Sequence, residues 1–165
     1  MMMIKKVLFP TDFTARSEGA FAHAAYLSDL FNAELHVLNA VAVPMAKPDD
    51  PMSHLTLEQE DEDTWSDAFM RESGAARVVH AQVESDAPAD GILEYAARHE
   101  VDLMVMATHG RQGLDRLLLG SVAEEVVRRA PCPVITIRDT DESPKSWSRI
   151  LVPIDFSEAS KLSLA

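Results

Sequence analysis

Four things are scarce or missing in this sequence, and each closes off a class of protein. There is a single cysteine, Cys132. No internal disulfide can form, which agrees with a reducing compartment. No apolar run approaches the ~20 residues that a membrane-spanning helix needs. The start, Met-Met-Met-Ile-Lys-Lys-Val-Leu-Phe-Pro, is like a signal peptide only until Pro10 and Asp12 interrupt it, and no small-residue cleavage site follows. A cytoplasmic location is therefore expected. Cations are outnumbered, with 15 Lys and Arg against 27 Asp and Glu and a formal net charge of −12. That is the wrong sign for a nucleic-acid surface, which neutralises phosphates with clustered Lys and Arg. Finally, the six histidines show no paired metal-ligand spacing. Neither the Gly-Lys-Ser/Thr end of a P-loop nor a Gly-x-Gly-x-x-Gly pattern is present.

What remains is an ordinary globular composition, 47% hydrophobic and 25% charged over 165 residues, enough for one domain with a sizeable core. The acid is unevenly placed: Asp49, Asp50, Glu58, Glu60, Asp61, Glu62, Asp63, Asp67 and Glu72 crowd one region with Arg71 as nearly the only cation. Such a run reads as a solvated helix face or connection.

Apolar runs and helical periodicities alternate along the chain. Ile4 to Pro10 is a buried strand, and Thr11-Asp12-Phe13-Thr14 is the turn after it, with Thr14 placed to cap a helix. In that helix Ala20, Ala24, Leu27 and Phe31 form the inward stripe, and Asn32 suits a left-handed exit. Glu34 to Val43 is the second strand. Pro44, Pro48 and Pro51 break the pattern before an acidic helix over about 56–73, with Leu57, Trp65, Ala68 and Phe69 inward and Gly74 at its end. Arg77 to Glu84 alternates as a strand near a sheet edge does, with Val79, Ala81 and Val83 on one side. Asp86 and Pro88 start a helix that carries Ile92, Leu93, Ala96 and Ala97 inward. Val101 to Met106 is a further buried strand. The helix from Val122 to Ala130, with Val122, Ala123, Val126 and Val127 inward, leads to a last strand, Val134 to Ile137. Alternation of this kind implies an α/β fold, an open doubly wound parallel sheet of five strands with helices on both faces.

The loop from Ala107 to Val122 stands where such folds bind ligands, after a strand and before a helix. Gly110, Gly113 and Gly120 let a ligand approach the backbone, and Ser121 stands where a helix N-terminus offers free N–H groups to an anion. Ser121-Val-Ala-Glu124 is also a capping box, which by itself accounts for a helix start. Asp12 likewise has two readings, as an Asx-turn residue and as an acceptor for ligand hydroxyls. His109 reads as a turn residue near the loop, proline-flanked Cys132 as structural, and Met104 and Met106 as core and pocket wall.

Past a polar linker, residues 139–149, the chain repeats itself. Ile150-Leu-Val-Pro-Ile-Asp-Phe-Ser157 matches Val7-Leu-Phe-Pro-Thr-Asp-Phe-Thr14 with proline, aspartate and phenylalanine in register. A strand and part of a helix cannot bury a core. The natural protein is therefore expected to be a tandem repeat: a first domain over 1–138, the linker, and the start of a second copy over 150–165.

These motifs carry a resemblance. Val-Leu-Phe-Pro-Thr-Asp-Phe near the start, Leu-His-Val in the second strand, Met-Ala-Thr-His-Gly-Arg-Gln-Gly-Leu-Asp-Arg-Leu-Leu-Leu-Gly-Ser-Val later, and Ala-Pro-Cys-Pro-Val-Ile-Thr-Ile at the end are similar to those of the universal stress protein family. The resemblance covers Ile4 to Arg138 and implies a Rossmann-like sheet with strand order 3-2-1-4-5. ATP-binding members carry Gly-x-x-Gly, nine residues, then Gly-Ser/Thr. Here Gly110, nine residues, Gly120 and Ser121 fit, and Ala107 replaces the first glycine.

The resemblance further implies an adenine-nucleotide site that takes ATP, with Mg²⁺ entering on the phosphates, and a regulatory or sensing role in stress response. Pro10, Thr11 and Asp12 would lie at the tip of the first strand, with Asp12 on the ribose hydroxyls. Val37 and Met106 would flank the adenine. Gly110, Gly113, Gly120, Ser121 and Val122 would hold the phosphates, with His109 beside them and Arg111 or Arg116 adding charge. No residue set joins an activated nucleophile, a positioned water and a metal site, so a fast ATPase is not expected. The alternatives are a dimeric interaction module without nucleotide and a slow ATP-hydrolysing enzyme. A homodimer through Val134 to Ile137 is expected, or the same pairing within one chain in a full tandem protein.

Overall fold

The computed structural model describes residues 3–14, 17–43, 77–108, 120–138, 149–155, 157 and 160. The acidic helix expected over about 56–73, with Leu57, Trp65, Ala68, Phe69 and Gly74, lies outside the described residues, as does most of the linker.

Parallel strands need long crossovers, and three of the four connections contain a helix among the described residues. The order is β1 (Lys6–Thr11), α1 (Glu18–Phe31), β2 (Glu34–Ala42), β3 (Val78–Ser85), α2 (Pro88–Arg98), β4 (Leu103–Ala107), α3 (Ser121–Arg129) and β5 (Val134–Ile137). The five strands form one sheet in the order β3-β2-β1-β4-β5, all neighbours parallel. This is the open doubly wound sheet and the order 3-2-1-4-5 that the sequence led us to expect.

Because successive side chains point to opposite faces of a strand, the central strands feed two cores. Val7, Phe9, Leu35, Val37, Leu103 and Val105 pack with Ala20, Phe21, Ala24 and Leu27 of α1. On the other face Leu8, Leu38, Met104 and Met106 pack with Ala89, Ile92, Tyr95 and Ala96 of α2 and Ala123 and Val126 of α3. Each fully buried aliphatic or aromatic side chain contributes about 1.5–3 kcal/mol relative to exposure. β1 lies second to none in this respect, with Val7, Leu8 and Phe9 almost wholly buried, because a central parallel strand is covered on both faces.

Three expected inward residues are not inward. Phe31 is exposed; α1 ends at it, where the stripe runs off the packed surface, and Phe21 supplies the buried ring, edge-on to Phe9 at 5.5 Å. Ala97 and Val127 are exposed too, being one residue on from buried Ala96 and Val126 and so rotated by about 100° around the helix. Tyr95 is buried instead.

Helix ends follow local chemistry, with two corrections. Asn32 leaves α1 in the left-handed conformation (φ 52°, ψ 42°), and the N–H groups of Asn32 and Ala33 donate to the carbonyls of Asp29 and Ser28. α1 begins at Glu18 behind Ser17, so Thr14 serves as a carbonyl acceptor for Ser17 rather than as the cap. α3 begins one residue early, with Gly120 as its N-cap and no side-chain cap bond, so the expected Ser121–Glu124 capping box is not formed. Gly91 of α2 lets the helix lie close on β3: a Cβ there would stand 3.0 Å from Val83 Cγ2 and 3.1 Å from Ser85 Cβ, so those side chains would have to give way. At the amino end of the sheet the Asp102 carboxylate accepts the N–H groups of Lys5 and Lys6 at 2.8 and 3.0 Å, fixing the entry of β4 beside β1.

Candidate functional site

A doubly wound sheet places a crevice at the carboxyl ends of the strands where the strand order reverses, here between β1 and β4. The hydrogen-bonded register of these two strands ends at Leu8–Met104, three residues short of Thr11 and of Ala107. β1 and β4 therefore part toward their carboxyl ends. β1 stays paired with β2 as far as Thr11–Asn39, and β4 with β5 as far as Ala107–Ile137.

One wall of this opening is the turn after β1. Asp12 Oδ1 accepts the Thr14 N–H at 3.2 Å and the Thr14 hydroxyl at 2.8 Å, which is an Asx turn. Thr11 Oγ1 accepts the Phe13 N–H at 2.9 Å and donates to Ser17 Oγ at 3.1 Å, and Ser17 Oγ donates to the Thr14 carbonyl at 2.6 Å. Phe13 is held at φ 56°, an uncommon conformation for a bulky residue. Side-chain bonds thus shape the chain between β1 and α1 and present Asp12, half-buried, at the strand tip. Pro10 is buried beneath it. It cannot donate a backbone bond, and so limits the ladder near the end of β1.

The other wall joins β4 to α3. Thr108, buried, donates its N–H to the Ile137 carbonyl at 2.9 Å, and its own carbonyl accepts the Gly120 N–H at 2.7 Å. Thr108 and Gly120 are thereby pinned together, and the N-terminus of α3 is brought beside the tip of β4. Gly120 has φ −60° and ψ 151°, a conformation open to any residue. Its glycine is thus not demanded by the backbone, and it adds no side chain over the helix N-terminus. Ser121 is exposed, and Val122 is half-buried against the core on the α2 side.

Thr11, Asp12, Ala107, Gly120, Ser121 and Val122 are thus brought to one edge by β1, β4 and the start of α3. His109, Gly110, Arg111, Gly113 and Arg116 lie outside the described residues. Val37 and Met106 are both buried, but on opposite faces of the sheet: Val37 faces α1, in register with Phe9, and Met106 faces α2 and α3. Ala107 turns its methyl group to the α1 side, against the core there. Two polar residues at this edge escape a reading by motif, Asn39 and Thr108, both largely buried. Asn39 carries a signal in retrospect: a lone amide ending the run Leu35-His-Val-Leu38, in register with Thr11.

Among the described residues no group of three or more His, Cys, Asp or Glu is placed to hold a metal. No helix among them is long and apolar enough to cross a membrane. Cys132 is half-buried, and burial together with the nearby Asp102 charge pushes its thiol pKa up, which suppresses the reactive thiolate.

The model of the Universal stress protein family matches residues 3–138. The chain belongs to the universal stress protein family. A universal stress protein of Methanocaldococcus jannaschii is 34% identical over 142 residues, covering 82% of this chain and 83% of that one. A second from the same organism is 24% identical over 156 residues, 83% of this chain and 96% of that one. Among solved structures, a universal stress protein in complex with cAMP superposes with a TM-score of 0.61 at 24% identity, covering 84% of this chain and all (100%) of that one. The Archaeoglobus fulgidus universal stress protein in complex with dAMP gives 0.60 at 22% identity, covering 83% and 100%. Identities this low speak to the fold. The universal stress protein domain matched here ends at Arg138, where β5 has just closed the sheet.

Proposed function

We propose that this universal stress protein binds an adenine nucleotide, ATP foremost, across the carboxyl edge where β1 and β4 part, and that it serves as a regulatory or sensing protein in stress response. The observation that carries this reading is the juxtaposition of a carboxylate at the tip of β1 with a helix N-terminus, without a side-chain cap bond, held beside the tip of β4. A carboxylate suits ribose hydroxyl donors, and a helix N-terminus suits phosphate. The relatives solved with cAMP and with dAMP support an adenine nucleotide as the ligand class.

In this reading Pro10, Thr11 and Asp12 receive the ribose. Gly120, Ser121 and Val122 meet the phosphates together with His109, Gly110, Arg111 and Gly113 of the loop. Met106 and Val37 lie beneath the base on opposite faces of the sheet. Mg²⁺ enters with the phosphates, because hard cations on nucleotides keep most of their ligands from phosphate and water. Edge strand β5 pairs with its counterpart in a second domain. Equilibrium binding of the purified protein to ATP, AMP and GTP tests the reading: adenine nucleotides bind in preference to GTP, and no adenine nucleotide bound at millimolar concentration leaves an interaction module without nucleotide in its place.

A further inference from the structure

At the amino half of the sheet, away from the nucleotide edge, a histidine is buried where a strand interior is otherwise apolar. His36 lies on β2 between Leu8 of β1 and Val79 of β3 in register, and its side chain is 5% exposed. Its Nδ1 is 2.8 Å from the Tyr95 hydroxyl of α2. Its Nε2 is 2.9 Å from Glu34 Oε1, although the carboxylate stands off the ring's N–H axis and Nε2 has no well-aligned partner. Tyr95 is itself buried, and stacks on His99 with ring centroids 4.0 Å apart. We infer that His36, Tyr95 and Glu34 form an acid-sensitive latch between β2 and α2, closed while the imidazole is neutral and released when it takes a second proton.

The donor and acceptor inventory sets the closed state. A neutral ring has one N–H and one bare nitrogen. A bare Nε2 beside a carboxylate would set lone pairs against lone pairs, so Nε2 carries the hydrogen and Nδ1 accepts the Tyr95 O–H. A second proton on Nδ1 turns that acceptor into a donor. The tyrosine hydroxyl must then swing its hydrogen away and accept instead, so the bond between α2 and the sheet is reversed, and the drive to open comes from the charge left buried on the ring.

The surroundings decide whether the proton is welcome. Glu34 on β2 attracts it. Lys6 on β1, whose Nζ donates to the His99 carbonyl, and His99, the C-cap of α2, with its ring centroid 5.9 Å from that of His36, oppose a second positive charge. Arg77 precedes β3, its carbonyl accepting the Leu35 N–H, and the Asp102 carboxylate is occupied by the N–H groups of Lys5 and Lys6. Burial comes first among these effects and holds the His36 pKa below its ordinary 6.5, with the Glu34 attraction only partly offsetting it. The sign follows: an opened latch binds the proton near pH 6.5, the closed one only at lower pH, so acidification draws the latch open.

Two measurements on the full chain test this. By NMR, the His36 imidazole should titrate below 6.5, and Tyr95→Phe should raise its midpoint by withdrawing the donor that favours the neutral ring. By amide hydrogen exchange, corrected for the intrinsic pH effect, protection of α2 should fall below about pH 6.5 with a slope approaching tenfold per pH unit, the limit for one proton. His36→Gln should abolish that slope, and His99→Gln should retain it. A His36 midpoint at or above 6.5, a midpoint unmoved in Tyr95→Phe, or the same slope in His36→Gln as in wild type would each overturn the latch.

Discussion

Asp12 holds two tasks that a single substitution can separate. Its Oδ1 already takes the N–H and hydroxyl of Thr14, so the carboxylate shapes the turn whether or not a ligand is present. Asparagine keeps an acceptor oxygen at the same place and loses the charge. Asp12→Asn is expected to leave the melting temperature nearly unchanged and to weaken ATP binding at least tenfold by calorimetry. Asp12→Ala removes the turn bonds as well, at a cost of about 1–2 kcal/mol in denaturant unfolding. Equal ATP affinity in wild type and both variants would confine Asp12 to the turn. Ala107 presents a similar pair of effects. Its methyl group packs toward α1, so Ala107→Gly should cost about 0.5–1 kcal/mol in stability from backbone freedom alone. If the same methyl crowds the ligand at the strand tip, ATP affinity should rise despite that loss. Unchanged affinity would place the methyl wholly in the core.

The sequence motif at the start of the chain recurs at 150–157, and two of the hydrogen bonds around its turn recur with it. Asp155 Oδ1 accepts the Ser157 N–H at 2.9 Å as Asp12 Oδ1 accepts that of Thr14, and Ser160 Oγ donates to the Ser157 carbonyl at 3.1 Å as Ser17 Oγ donates to that of Thr14. Local side-chain chemistry thus builds the turn without a core beneath it. The residues before the turn differ sharply: Ile150 and Leu151 are 81% and 91% exposed and in no strand, against 0% for Val7 and Leu8 of β1. We read this as the beginning of a second repeat. The Ser157 hydroxyl and N–H, with the Ser160 hydroxyl, lower the Asp155 pKa from 3.8 to about 2. The turn therefore holds its ionised acceptor above about pH 4 and loses it as the pH falls through about 2. A carboxyl NMR titration should show that midpoint, and Ser157→Ala should move it back toward 3.8.

For the whole molecule the open question is what covers the sheet edge at β5. The carbonyls of Pro133 and Ile137 accept the N–H groups of Met104 and Thr108, so alternate residues of β5 face β4, and Val134 and Thr136 direct their backbone groups outward. Outward groups on an edge strand are a template for another strand. Thr136→Pro removes an outward donor and leaves the bonds to β4 in place. We predict that the wild-type chain is a dimer in light scattering at high concentration, and that Thr136→Pro is a folded monomer with an unchanged circular dichroism spectrum. A wild-type monomer, or a variant that remains dimeric, would exclude pairing through β5.

Periodicity by itself determined the five strands, the helices that the structure describes and the parallel α/β class, because buried central strands and amphipathic helices each write their packing into spacing. Asn32 and the Asp12 turn were legible for a local reason, since side-chain-to-backbone bonds reach only a few residues. Faces were less so: at the margin of a helical stripe a rotation of about 100° per residue decides burial, and Phe31, Ala97 and Val127 fell outside the core that Phe21 and Tyr95 entered. Only the tertiary structure decided that Gly120, not Ser121, caps α3, since Thr108 holds the Gly120 N–H from across the loop. It alone showed that β1 and β4 part three residues before their ends, and that Val37 and Met106 look to opposite faces. The His36–Tyr95 contact joins residues 59 apart in the chain, and no local pattern encodes a pairing that exists only when α2 lies on the sheet.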